Sequence, residues 1–108
     1  MQIYEGTLKL YLLKDIFNRN YQEKIGAVID KCLLENEEKK LFHEKRTLKG
    51  YVFNGFFDKN AKNKDFKYPA GSVYAVRVRS LDKELMDFFK ENLNKIRTTE
   101  MQALTFEY

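Results

Sequence analysis

The order β-α-β-β-α-β, an α+β domain whose four-stranded antiparallel sheet carries two helices on one face, is predicted from three observations. Four segments alternate or concentrate β-favouring side chains. Two others repeat apolar residues at helical spacing. Both kinds interleave along 108 residues, a length that fills one two-layer core and leaves no room for a second of comparable size.

The N-terminal run predicts the first strand, because Tyr4, Leu8, Leu10 and Leu12 share one parity and Glu5, Thr7, Lys9 and Tyr11 take the other. Asn20 stands at an N-cap position, with Glu23 three residues on to complete a capping box. Ile25, Val28, Ile29, Cys32 and Leu33 then form an apolar stripe, which sets the first helix at 21–34. Residues 35–46 are almost all charged apart from Leu41 and Phe42, as in a solvated connection with one helical turn pinned by those two side chains. The run GYVFNGFF, Gly50 to Phe57, is aromatic-rich and predicts the second strand. Asp58 to Gly71 holds the single proline amid Asn, Lys and Gly, which predicts a long hairpin loop. SVYAVRVRS, ending at Ser80, is the third strand, and Ser80 is placed to cap a second helix with Leu85, Phe88, Phe89, Leu93 and Ile96 on its apolar face. Met101 to Tyr108 closes as the fourth strand. This element order is the ferredoxin-like pattern.

Composition and charge narrow the function. With 44% hydrophobic and 33% charged residues, nine Phe and seven Tyr, the chain carries enough apolar bulk to fold. The longest apolar runs fall far short of a membrane span, and the alternating N-terminus is unlike a signal peptide, so a cytoplasmic protein without membrane contact is expected. One cysteine and one histidine leave no zinc cluster, and no glycine-rich phosphate loop is present, so neither metal nor other cofactor is expected. The net charge of +4 is uneven: residues 39–67 hold nine Lys or Arg against three acids, +6 locally, and the rest of the chain sums to −2. A basic segment on a slightly acidic body fits a polyanion partner, and Lys39, Lys40, Lys45, Arg46, Lys49, Lys62, Lys64 and Lys67 are the candidate RNA contacts. The aromatic strand Tyr51 to Phe57 offers rings on which bases could stack, with about half of them expected to face the core.

His43 lies inside this basic segment. An imidazole titrating near neutrality can take the proton of a ribose 2′-hydroxyl, and a nearby ammonium can stabilise charge on the attacked phosphate. Lys45, Arg46 and Lys49 are close in sequence, and Tyr51 supplies a phenol. These are parts for metal-free RNA cleavage to a 2′,3′-cyclic phosphate, chemistry that DNA, lacking the 2′-hydroxyl, does not support.

Four passages, IYEGTLKLYLLKDI at the start, FHEKRTLKGY, VFNGFF and VYAVRVRSLDKEL, together resemble the N-terminal half of the CRISPR repeat-processing endoribonucleases of type I systems, members of the RAMP superfamily. The resemblance runs over nearly the whole chain. It implies binding of precursor CRISPR RNA, metal-independent cleavage and association with the effector complex. It also implies a catalytic histidine just after the first helix, where His43 stands, and a lysine at the separation of Lys49; Tyr51 is the substitute for the tyrosine that some members draw from the first helix. The family pairs two such domains and grips RNA with a glycine-rich loop, whereas here the glycines are scattered at 6, 26, 50, 55 and 71 and Tyr108 ends the first domain. The expectation is therefore a truncated mimic, an anti-CRISPR protein that interferes with effector assembly or guide maturation. The alternative is an active endoribonuclease, as a homodimer or the N-terminal piece of a split enzyme.

Overall fold

A computed structural model describes residues 2–35 and 50–108. The chain runs β1 (Tyr4–Leu12), β2 (Ile16–Phe17), α1 (Tyr21–Leu34), β3 (Val52–Phe53), β4 (Lys67–Tyr68), β5 (Val73–Ser80), α2 (Lys83–Asn92), a 3-10 turn (Leu93–Lys95) and β6 (Met101–Glu107). The main sheet has four antiparallel strands in the order β3-β5-β1-β6, and β2 and β4 form a separate two-stranded ribbon. Among the described residues the fold is α+β with a four-stranded antiparallel sheet and two helices.

Period-two alternation decides which sheet face is dry. Leu8, Leu10 and Leu12 of β1 and Val76 and Val78 of β5 are buried, while Glu5, Lys9, Arg77 and Arg79 face solvent. The dry face shares one core with Ile25, Val28, Ile29 and Leu33 of α1 and Leu85, Met86 and Phe89 of α2. Burying each such side chain contributes about 1.5–3 kcal/mol relative to leaving it in water. Phe106 of β6 lies across Gly6, where a Cβ would run into its ring, so glycine suits the strand there.

Several local expectations are corrected. α1 begins where predicted, but Asn20 makes no side-chain cap and no capping box forms. The Asn20 N–H, the group Glu23 should reach, donates to the Phe17 carbonyl at 2.9 Å, and Asn20 sits at φ −116°, ψ −11°, outside the extended geometry of a box. Ser80 does not cap α2. It is buried in the sheet with its hydroxyl donating to the Gly50 carbonyl, and Asp82 caps instead by accepting from the Leu85 N–H at 3.2 Å. The expected strand over 50–57 is regular only at Val52 and Phe53; Asn54 still donates its N–H to the Arg77 carbonyl at 3.2 Å, but its side chain rather than its carbonyl accepts the Arg77 N–H, at 2.7 Å, and the ladder ends there. The loop from Asp58 to Gly71 contains β4, which pairs with β2. It ends in a turn in which Ser72 N donates to Pro69 O, and that turn needs Gly71 at φ 86°. α2 stops at Asn92, so Leu93 and Ile96 are buried from the 3-10 turn and the residue after it. Among the described residues no helix is long and apolar enough to cross a membrane.

Candidate nucleic-acid interface

The segment 54–68 is built around an aromatic cluster. Phe56 stacks on Tyr74 at 4.7 Å between centroids and also meets Tyr21 at 4.9 Å and Tyr68 at 5.2 Å. The polar ends of these rings are satisfied: Tyr68 donates to Asn18 Oδ1 at 2.8 Å and Tyr74 to Asp58 Oδ2 at 2.9 Å. Burial, and then the hydrogen bond to Asp58, pushes the Tyr74 phenol up to about 12. Phe56 and Asp58 are thus both fixed, and the residue between them, Phe57, stands 91% exposed.

The loop that follows is held by its own side chains. Asp58 Oδ1 accepts the Asn60 N–H at 2.9 Å, Asn63 Oδ1 accepts that of Asp65 at 2.9 Å, and Asn18 Nδ2 donates to the Asn63 carbonyl at 3.1 Å. Arg19 pairs with Asp65 at 3.1 Å and lies 4.3 Å from the centre of the Phe17 ring, which the Lys67 ammonium also approaches at 5.1 Å. Both acids of the loop are engaged, Asp65 by Arg19 and Asp58 by Tyr74 and Asn60. Lys59, Lys62 and Lys64 are exposed and make no ion pair among the described residues. The arrangement can offer a ring face to a base and ammonium groups to phosphates.

A second polar surface lies on the open sheet face. Arg77 and Arg79 border a cavity of about 200 Å³ with Val52, Phe53 and Asn54, and Arg79 Nε donates to Glu5 at 2.6 Å.

Of the residues nominated from sequence, Lys62, Lys64 and Lys67 are exposed on the loop and ribbon. Tyr51 is 4% exposed, its ring 5.7 Å from Phe89 and its hydroxyl donating to Asp30 at 3.3 Å. Burial, then the Asp30 carboxylate, raises its pKa far above the usual phenol range. Lys39, Lys40, His43, Lys45, Arg46 and Lys49 lie outside the described residues. Sequence reasoning offered the rings of Tyr51 to Phe57 as a group without singling out Phe57, counted Lys59 only in the local charge excess, and passed over Arg19. The adjacent pair Phe56-Phe57 was the available signal for Phe57, since neighbouring side chains of an extended chain point to opposite sides. Comparison with protein-family models, curated proteins and solved structures returned no match to this chain.

Proposed function

We propose that the protein binds RNA through the 57–67 segment, with Phe57 stacking on a base and Lys59, Lys62 and Lys64 contacting the adjoining phosphates. The observation that carries this reading is a 91% exposed phenylalanine clamped between a core residue and a hydrogen-bonded aspartate. Hydrophobic burial gives no reason for so large an apolar ring to stand in water, whereas a preorganised ring beside ammonium groups suits single-stranded nucleic acid.

The partner we favour is CRISPR repeat RNA, and the role is that of a relative of the type I repeat-processing endoribonucleases. The sequence passages quoted above support it. So does the sheet: taken in chain order, its four strands lie 2-3-1-4 across the sheet, with a helix after the first and the third, as a ferredoxin-like domain requires. Between the two roles within that reading, we favour the mimic, which occupies repeat RNA or effector subunits without cutting. Tyr51, the one nominated catalytic group among the described residues, is packed in the core with its hydroxyl on Asp30, which supports binding over chemistry.

Fluorescence anisotropy with labelled repeat RNA at increasing KCl tests binding. Affinity should fall steeply with salt, and no binding at low salt refutes the proposal. Incubation of the same RNA in EDTA separates the roles. The mimic leaves the RNA intact and lowers guide maturation by the cognate endonuclease; cleavage that is lost in His43→Ala assigns the endoribonuclease role instead.

A further inference from the structure

An open cleft of about 650 Å³ lies where the end of β1, the last turn of α1 and the approach to β6 meet, lined by Leu13, Lys14, Lys31, Arg97, Thr98 and Thr99. Three cations from three separate chain segments share its rim, and no carboxylate is among the described lining residues. The acids next to two of them in sequence are drawn elsewhere: Asp15 accepts the Ala70 N–H at 2.8 Å and Asp30 accepts the Tyr51 hydroxyl. Glu100, in the turn beside the cleft, accepts the Thr99 hydroxyl.

The walls are fixed before any ligand arrives. Leu13 N donates to Glu100 O at 2.8 Å, Thr98 N donates to Met101 O at 2.8 Å, and Thr98 Oγ1 accepts from the Met101 N–H at 3.2 Å. The Lys31 ammonium donates to the Arg97 carbonyl at 2.5 Å, which ties α1 to the same turn. Lys31 also gains from its place at a helix C-terminus, but that explains neither Lys14 nor Arg97. Like charges gathered on one rigid rim repel, and an anion relieves the repulsion.

We propose that this cleft holds phosphodiester groups of the same RNA strand that Phe57 engages, a second contact that rests on the RNA-binding reading. The ribbon joins the two. Lys14 lies just before Ile16, which pairs with Tyr68, and Lys67 and Arg19 lie at the ribbon's other end. Arg19 is five positions on from Lys14, at most about 18 Å of extended chain, so a short strand can touch both places.

The test compares salt dependence of binding to labelled single-stranded RNA for the native protein, Phe57→Ala and the double variant Lys14→Gln, Arg97→Gln. Each phosphate contact contributes about 0.7 to the slope of log K against log salt for a single strand, so the double variant should lower the slope by about 1.4. Phe57→Ala should weaken binding at every salt concentration and keep the native slope. Lys14→Gln alone, whose side chain has no hydrogen bond or ion pair among the described residues, should lower the slope by about 0.7 and guards against loss of fold in the double variant. An unchanged slope in both cleft variants, with Phe57→Ala still weakened, overturns the cleft and spares the RNA reading. Absence of RNA binding by the native protein overturns both. Backbone amide shifts at Thr98 and Thr99 with inorganic phosphate, and none with RNA, would assign the cleft to free phosphate and overturn its place on the RNA path.

Discussion

Phe56 and Phe57 are neighbours in sequence and should respond oppositely to truncation. Phe56 is 8% exposed and touches Tyr21, Tyr68 and Tyr74, so Phe56→Ala removes a full aromatic side chain from the core and leaves a cavity. The expected loss is about 3–5 kcal/mol, a large share of a small domain's stability. Phe57 is 91% exposed, so Phe57→Ala gives up almost no buried area and should shift stability by less than about 0.5 kcal/mol. Its cost belongs to RNA: one base-stacking contact is worth about 1–3 kcal/mol, or about 5- to 150-fold in Kd. Urea denaturation followed by circular dichroism measures the first quantity and anisotropy with labelled RNA the second. A Phe57→Ala protein that is destabilised as much as Phe56→Ala, or that binds RNA with the native Kd, refutes the reasoning.

Two further outcomes follow from the helix ends and the buried acids. Asp82→Ala removes the α2 cap and should cost about 1 kcal/mol, whereas Asn20→Ala, which loses no side-chain cap bond, should cost less than about 0.5 kcal/mol in the same urea titration. Burial, with a smaller effect of Glu35, pushes the Cys32 thiol up to about 12 from 9.0, and burial first pushes Tyr74 up to about 12 from 10.0; Tyr51 and Tyr68 move the same way. Each of these acids is held neutral in the fold. Their contribution is intact below the unfolded pKa and is lost as pH rises from about 9 towards 12, so the urea midpoint should hold to about pH 9 and then fall. A midpoint that stays flat to about pH 11 contradicts this.

What was legible in the sequence is what periodicity records. β1 and the start and stripe of α1 follow directly from alternation and helical spacing, because each has a dry side and a wet side along at least nine residues. Two-residue strands leave no such record. Ile16–Phe17 and Lys67–Tyr68 pair across some fifty residues of sequence, and only the closed aromatic cluster reveals why they meet. The caps were misplaced for a related reason. Asn20 and Ser80 have capping chemistry, but a local turn onto the Phe17 carbonyl takes the Asn20 N–H that a capping box would use, and a long-range contact with the Gly50 carbonyl takes the Ser80 hydroxyl. For the candidate site, the charge excess of the loop was readable as composition, and Lys62, Lys64 and Lys67 are exposed as that excess implies. The division of the aromatic run into core and surface was not, since it depends on where β3 leaves the sheet at Asn54. The cleft of Lys14, Lys31 and Arg97 has no sequence signature, because its cations come from positions far apart in the chain.

The most direct test is an amide chemical-shift map of the labelled protein titrated with repeat RNA at low salt. Shifts should concentrate at Phe57 to Lys67 and extend along the ribbon to Lys14 and Thr99, leaving buried positions such as Leu10 and Phe89 still. Shifts confined to the open sheet face around Arg77 and Arg79, or no shifts at all, would contradict an RNA surface built on Phe57 and its lysines.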